Sequence, residues 1–167
     1  KDRMAENAPH TLDGMAYMRY ATYDDLGVNM DLSQDYRAIR WLQENVIGSP
    51  VIIEGNMVEY HWGDRMTTYT GLPNVLGWNW HQRQQRARAP EYLIPSRIAD
   101  INDFYLTTNT IRAENILKKY GVKYIILGQL ERALYPGPGL DKFDQLNGIL
   151  WKEVYREDDT VIYEVLN

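Results

Sequence analysis

The sequence predicts a mixed α/β domain with a largely parallel central sheet, flanking helices and a C-terminal antiparallel hairpin. Three observations carry this. An amphipathic run over residues 31–46 stops at Gly48 and Pro50 and leads directly into the apolar triplet Val51-Ile52-Ile53. The same order of helix, glycine and strand recurs over residues 109–127. Two β-rich runs, 149–156 and 160–166, then flank Glu157-Asp158-Asp159.

Each element has its own signal. Residues 1–31 mix polar side chains with Pro9, Gly14, Gly27 and a cluster of Tyr17, Tyr20 and Tyr23, without sustained periodicity, and read as a lead-in segment. From Asp31 to Ser33, capping residues precede Tyr36, Ile39, Leu42 and Val46, which recur every three or four positions along one helical face. Val51-Ile52-Ile53 is β-branched and uncharged, as a strand covered on both faces must be. Residues 56–71 carry Tyr60, His61, Trp62, Met66 and Tyr69 at partly helical spacing, which suggests a short helix closed by Gly71-Leu72-Pro73. Asn74 to Gly77 suits a brief strand, and 78–88 a polar helix or a long loop.

The clearest helix starts at Asn109 or Thr110. Ala113, Ile116, Leu117 and Tyr120 fall at i, i+3, i+4 and i+7, and Gly121 supplies a left-handed C-terminal cap. Residues 122–127 follow as a second buried strand. After Pro136-Gly137-Pro138-Gly139, a short helix around 140–146 leads into the terminal hairpin, where Val161, Tyr163 and Val165 alternate with Ile162 and Glu164. The whole, residues 1–167, reads as one domain with no internal repeat.

Composition narrows the function. Apolar residues make up 44% and charged residues 25%, so the chain is expected to fold. A net charge of -5 argues against nucleic acid as a partner, because phosphate binding needs a basic field. The 13 Tyr and 5 Trp against 2 Phe give most rings a polar handle, suited to half-wet core edges or to a surface that meets sugar or membrane. With no Cys, disulfides, thiolate catalysis and cysteine-held zinc are excluded. The longest apolar run, Tyr124 to Leu127, falls far short of the roughly 20 residues that span a bilayer. The start at Lys1, without Met or an apolar signal, reads as a piece of a longer protein whose tether lies elsewhere.

Common catalytic signatures are missing: no G-x-S-x-G, no phosphate-binding G-x-x-x-x-G-K, no G-x-G-x-x-G and no H-E-x-x-H. His10, His61 and His81 are scattered, so no metal site is expected. Asp24-Asp25, Asp100 with Asp103, and Asp158-Asp159 suit solvated turns and caps better than calcium loops. The most suggestive stretch is Trp78 to Arg88, with Trp78, Trp80, His81, Arg83, Arg86 and Arg88 inside eleven residues. Guanidinium forks match phosphate oxygens, and indoles suit sugar rings or a membrane interface, so a phosphate-linked glycan fits. A polar helix whose Arg side chains pair with carboxylates while the Trp residues plug the core fits equally well. Glu54 and Tyr60-His61-Trp62 could line a strand-end crevice beside it, where α/β sheets bind ligands.

These segments together resemble the soluble C-terminal domain of the YYY-type polytopic membrane proteins of Chloroflexi and archaea. The resemblance rests on residues 35–45, on Val51-Ile52-Ile53-Glu54, on Tyr69-Thr70-Gly71-Leu72-Pro73 running into Gly77-Trp78 and 81–86, and on 115–128 with Leu130-Glu131-Arg132. That family is similar in layout to membrane glycosyltransferases of the GT-C type, including oligosaccharyltransferase catalytic subunits. In those enzymes a helix ending in Trp-Leu-x-x-Asn, here Trp41 to Asn45, likewise precedes an apolar strand and an aromatic motif that contacts acceptor. Residues 54–63 hold the analogous place without the Trp-Trp-Asp-Tyr-Gly motif, so acceptor-peptide recognition is not implied.

The resemblance implies an outer, extracytoplasmic domain, tethered to its own membrane-embedded region and inactive alone. No cofactor is implied in this domain; a divalent metal would belong to the membrane part. It further implies a polyprenyl-phosphate sugar or glycan as ligand, with Arg83 and Arg86 near phosphate and Glu54, Tyr60, Trp80 and His81 near sugar or acceptor. No catalytic residue is expected here. A non-catalytic module that binds glycan or protein for a membrane scaffold is the alternative.

Overall fold

The structure, a computed structural model, describes residues 9–166. Part of the lead-in segment, residues 1–8, lies outside the described residues. The rest of that segment is more ordered than its sequence suggests. A 3-10 turn at Ala16–Arg19 precedes a hairpin of β1 (Thr22–Asp25) and β2 (Val28–Asp31), joined at Leu26-Gly27. Both loop residues have positive φ, 54° and 72°, the backbone of a two-residue hairpin turn. Leucine at the first of these positions gives the sequence only half of the usual signal.

Asp31 ends β2 and also caps α1 (Leu32–Asn45), its carboxylate accepting from the Ser33 N–H at 2.9 Å. Ile39 and Leu42 turn inward, as their spacing predicts, together with Leu32 and Ala38, while Tyr36 and Val46 of the same predicted face are half-buried. Next come β3 (Val51–Ile53), α2 (Arg65–Thr70), α3 (Asn79–Gln85) and α4 (Leu93–Leu106). Pro95 lies within α4 but falls in its first turn, where no intrahelical N–H is needed. The predicted helix α5 (Thr110–Tyr120) is capped by the Asn109 side chain and by Gly121 at φ 61°. The remaining elements are β4 (Val122–Leu127), α6 (Gln129–Leu134), α7 (Lys142–Gln145), β5 (Trp151–Glu157) and β6 (Thr160–Val165).

The main sheet has the order β3-β4-β6-β5. It is mixed and ends in the antiparallel hairpin, as the sequence predicts. Its parallel half comprises β3 beside β4, extended on the outer side of β3 by a parallel bridge between Ile52 and Asn74. The parallel share is narrower than the reading of a largely parallel sheet implied, since β6 enters antiparallel to β4 and then pairs with β5.

Strand periodicity sorts the core into two layers. Ile53, Ile125, Leu127, Val161 and Tyr163 face a layer closed by α4, α5 and α7, with Phe104, Tyr105, Phe143 and Trp151 in contact. Ile52, Ile126 and Ile162 face α1 and Met66 of α2. The second layer, with the first hairpin and the long connection before α2, forms the region described next.

Candidate functional site

Four chain segments bring charges into the interior at the end of β3. Asp35 comes from α1, Glu54 directly follows β3, Arg65 opens α2 and Glu131 lies in α6; all four are buried. The Arg65 guanidinium forks onto Glu131, with bonds of 3.0 and 2.9 Å, while its Nε donates to Asp35 at 2.7 Å. Glu131 also accepts from the Gly55 and Gly128 N–H groups, at 2.8 Å each. Burial alone would raise the Glu131 pKa, but Arg65 and these N–H groups hold it below the ordinary carboxylate value.

Glu54 accepts from the Met66 and Thr67 N–H groups at 3.0 and 2.9 Å and so satisfies the first turn of α2. Its burial pushes its pKa up to about 8, against the pull of Arg65. Next to it Asp64, held left-handed at φ 59°, accepts from the Asn74 side chain at 2.9 Å, and burial lifts it to about 7. Asp64 Oδ2 has no hydrogen-bond donor among the described residues, so it is the natural seat of that proton. Glu54, expected near a ligand, thus sits fully enclosed at 0% exposure and ties β3 to α2.

Over this charged floor opens a cleft of about 610 Å³. Its walls are aromatic: Tyr17, Tyr23, Tyr60, Trp62, Tyr69 and Trp78. The polar ends of several rings are anchored. Trp62 Nε1 donates to Asp35 at 2.6 Å and Trp78 Nε1 to the Gly63 carbonyl at 3.3 Å, while the Tyr17 and Tyr69 hydroxyls meet at 3.0 Å. At the rim, His61 Nδ1 lies 2.6 Å from Asp25, which also accepts from Tyr23 at 3.1 Å; the His61 contact is the first cause of a lowered Asp25 pKa.

The six sequence-predicted site residues therefore divide. Tyr60, 75% exposed, packs at a tilt against Trp78, ring centres 5.3 Å apart, and approaches His81, its hydroxyl 3.4 Å from the His81 Nε2. Trp80, 57% exposed, donates its backbone N–H to Glu59. Arg83 and Arg86 lie exposed on α3 and at its end, braced by Asn79 and Gln82 at 2.8 and 2.9 Å. Positions 81 and 83 are two apart on one helix, so His81 and Arg83 do not face each other. Among the described residues no carboxylate forms an ion pair with Arg83, Arg86 or Arg88, and Trp80 does not plug the core. The segment is a helix, but without the inward Trp80 and paired arginines of the structural alternative.

Sequence reasoning missed Arg65, the hub of the buried cluster, and it missed Tyr69 and the anchoring of Tyr17 and Trp62. The sequence reading that Tyr60-His61-Trp62 line a crevice agrees with the cleft, and the tyrosine cluster in the lead-in was a second signal for its Tyr17 and Tyr23 wall. No group of three or more His, Cys, Asp or Glu that could hold a metal occurs among the described residues. Nor is any described helix long and apolar enough to cross a membrane.

No family model matches the sequence, and no curated protein matches it. The fold is similar to the crystal structure of the C-terminal globular domain of an oligosaccharyltransferase from Archaeoglobus fulgidus, with a TM-score of 0.51 at 13% identity. The similarity covers 78% of this chain and 96% of that domain, so nearly all of the archaeal domain has a counterpart here. At this identity the likeness establishes a shared fold.

Proposed function

We propose that the chain is the outer domain of a polytopic membrane glycosyltransferase of the GT-C type, acting on a sugar linked to a polyprenyl phosphate. The observation that carries the reading is a pair of exposed guanidinium groups, Arg83 and Arg86, which make no salt bridge among the described residues and lie on and at the end of a helix that begins beside the Tyr60-Trp78-His81 ring cluster. In a chain of net charge -5, two exposed arginines that make no salt bridge among the described residues keep their guanidinium forks available to an external anion. The shared fold with an oligosaccharyltransferase domain supports the same assignment.

In this reading the domain supplies binding and orientation. Arg83 and Arg86 bind the phosphate, and Tyr60, Trp80 and His81 present ring surfaces to the adjoining sugar. Glu54 acts from beneath by fixing α2, and any divalent metal belongs to the membrane part. The domain lies on the extracytoplasmic face, tethered through its own membrane-embedded region.

Reading the coding sequence next to this segment tests the proposal. The expected result is a series of apolar stretches of about 20 residues each, the length that spans a bilayer. Protease accessibility of the domain in sealed cells should then place it outside. A coding sequence without such stretches would contradict the assignment.

A further inference from the structure

The aromatic cleft over Arg65 adjoins the arginine-bearing side of α3, sharing Tyr60 and Trp78 with the ring cluster there, but its chemistry differs. We propose that it is a binding site for a neutral oligosaccharide. The inference builds on the reading of the domain as one that handles glycan, but it requires no transfer by the protein.

Three features define the ligand. The first is the presentation of the rings. With Trp62 Nε1 committed to Asp35 and Trp78 Nε1 to the Gly63 carbonyl, the indoles turn their polar edges into the protein and offer hydrocarbon to the cleft. Hydroxyl contact between Tyr17 and Tyr69 and ring contacts of Trp62 with Tyr23 and Tyr69, at 5.9 and 6.3 Å, hold the wall in shape before a ligand arrives. Flat apolar surfaces of this kind match the C–H face of a pyranose ring.

The second feature is polarity at the edges. Asp24, Thr68 and His61 line the same cleft, so a wholly aliphatic ligand would strip these groups of water without replacing their hydrogen bonds. A sugar carries hydroxyls around the rim of its apolar face and satisfies both demands. The third feature is charge. Arg65 is the cation of the cleft lining, and Glu131 and Asp35 already match it, while Asp24 lines the opening without a salt bridge among the described residues. A phosphorylated or carboxylated ligand would meet net negative charge, which selects a neutral one. The volume of about 610 Å³ lies inside the range of about 300 to 1,000 Å³ common to small-molecule sites.

The test uses the 167-residue chain and four probes: maltotetraose, cellotetraose, mannotetraose and chitotetraose, each titrated to about 10 mM against tryptophan emission and by calorimetry. At least one should bind saturably. Tyr60→Asn keeps a residue that tolerates the φ of 67° at this exposed position and should weaken binding by about tenfold. Trp78→Ala should do the same, Ile111→Ser on distant α5 should bind as the parent does, and sodium pyrophosphate should not displace the sugar. No saturable binding by a chain with a cooperative melt would overturn the proposal. So would undiminished binding by Tyr60→Asn, or displacement by pyrophosphate, which would move the ligand to the arginines of α3. Because binding is read on the chain alone, a failure of the glycosyltransferase reading would leave this result unchanged.

Discussion

The charged floor draws on four chain segments and the arginine helix on one, and they use polar residues in opposite ways. Below the cleft, Arg65 meets Asp35, Glu54 and Glu131 with every side chain buried, and each partner also touches a different element. On α3 and at its end, Arg83 and Arg86 donate to amide side chains one turn away and face solvent. A buried ion cluster contributes little net stability compared with apolar packing, but removing one member leaves the others uncompensated. The interior set thus specifies how α1, β3, α2 and α6 meet, whereas the outer set is free to bind something else.

This contrast can be broken most forcefully at Arg65. Arg65→Met would leave Asp35 and Glu131 buried without their cation, and we expect a loss of about 3 to 5 kcal/mol in urea unfolding. A change below about 1 kcal/mol would show that water or rearrangement relieves the cluster.

The pH dependence sharpens the same point. Burial first of all raises Glu54 from 4.5 to about 8 and Asp64 from 3.8 to about 7. The folded chain therefore keeps protons that the unfolded chain has released. Their contribution is fully present below the unfolded values and is lost as pH rises through 7 and 8. Glu131 and Asp25 shift the other way, so their contribution is lost on acidification below the ordinary carboxylate range. Urea midpoints should decline from pH 5 to pH 9, and Glu54→Gln should flatten the upper part of that decline. A level profile for the parent chain would show that both carboxyls are ionised throughout.

The cleft wall occupies the middle ground. Tyr69→Phe removes the 3.0 Å contact with Tyr17 and should cost about 1 kcal/mol, as one part-buried hydrogen bond does, measured by thermal unfolding. At the far end, replacing Arg83 and Arg86 together by Ala should leave the melting temperature unchanged, because neither guanidinium joins elements. A marked drop would place these arginines with the structural set.

How much of this the sequence reveals follows from the range of each interaction. Helix α1 and helix α5 are legible because caps and apolar spacing are local, as are the buried strands β3 and β4 and the final hairpin. Helix α4 is hidden by Pro95, and the first hairpin by Leu26 at a position where Asn or Gly is usual. Glu54 was visible as a carboxylate at a strand end, which fits a ligand site as well as a cap. Its true partners, the N–H groups of α2 and the Arg65 guanidinium, follow from a chain path that no local pattern encodes. Arg65 itself pairs with Glu131, 66 positions away. The ring cluster of Tyr60, Trp78 and His81 was legible in part, since the aromatic residues stood out and a shared crevice suited them, whereas their ring geometry did not show.

The central claim is most directly tested by sugar transfer from a radiolabelled polyprenyl-phosphate donor, using membranes that contain the full-length gene product. We predict transfer above that of control membranes and a loss of at least about tenfold, some 1.4 kcal/mol of barrier, in the Arg83→Ala, Arg86→Ala double variant. No transfer by the well-expressed parent, or equal transfer by the double variant, would contradict the account.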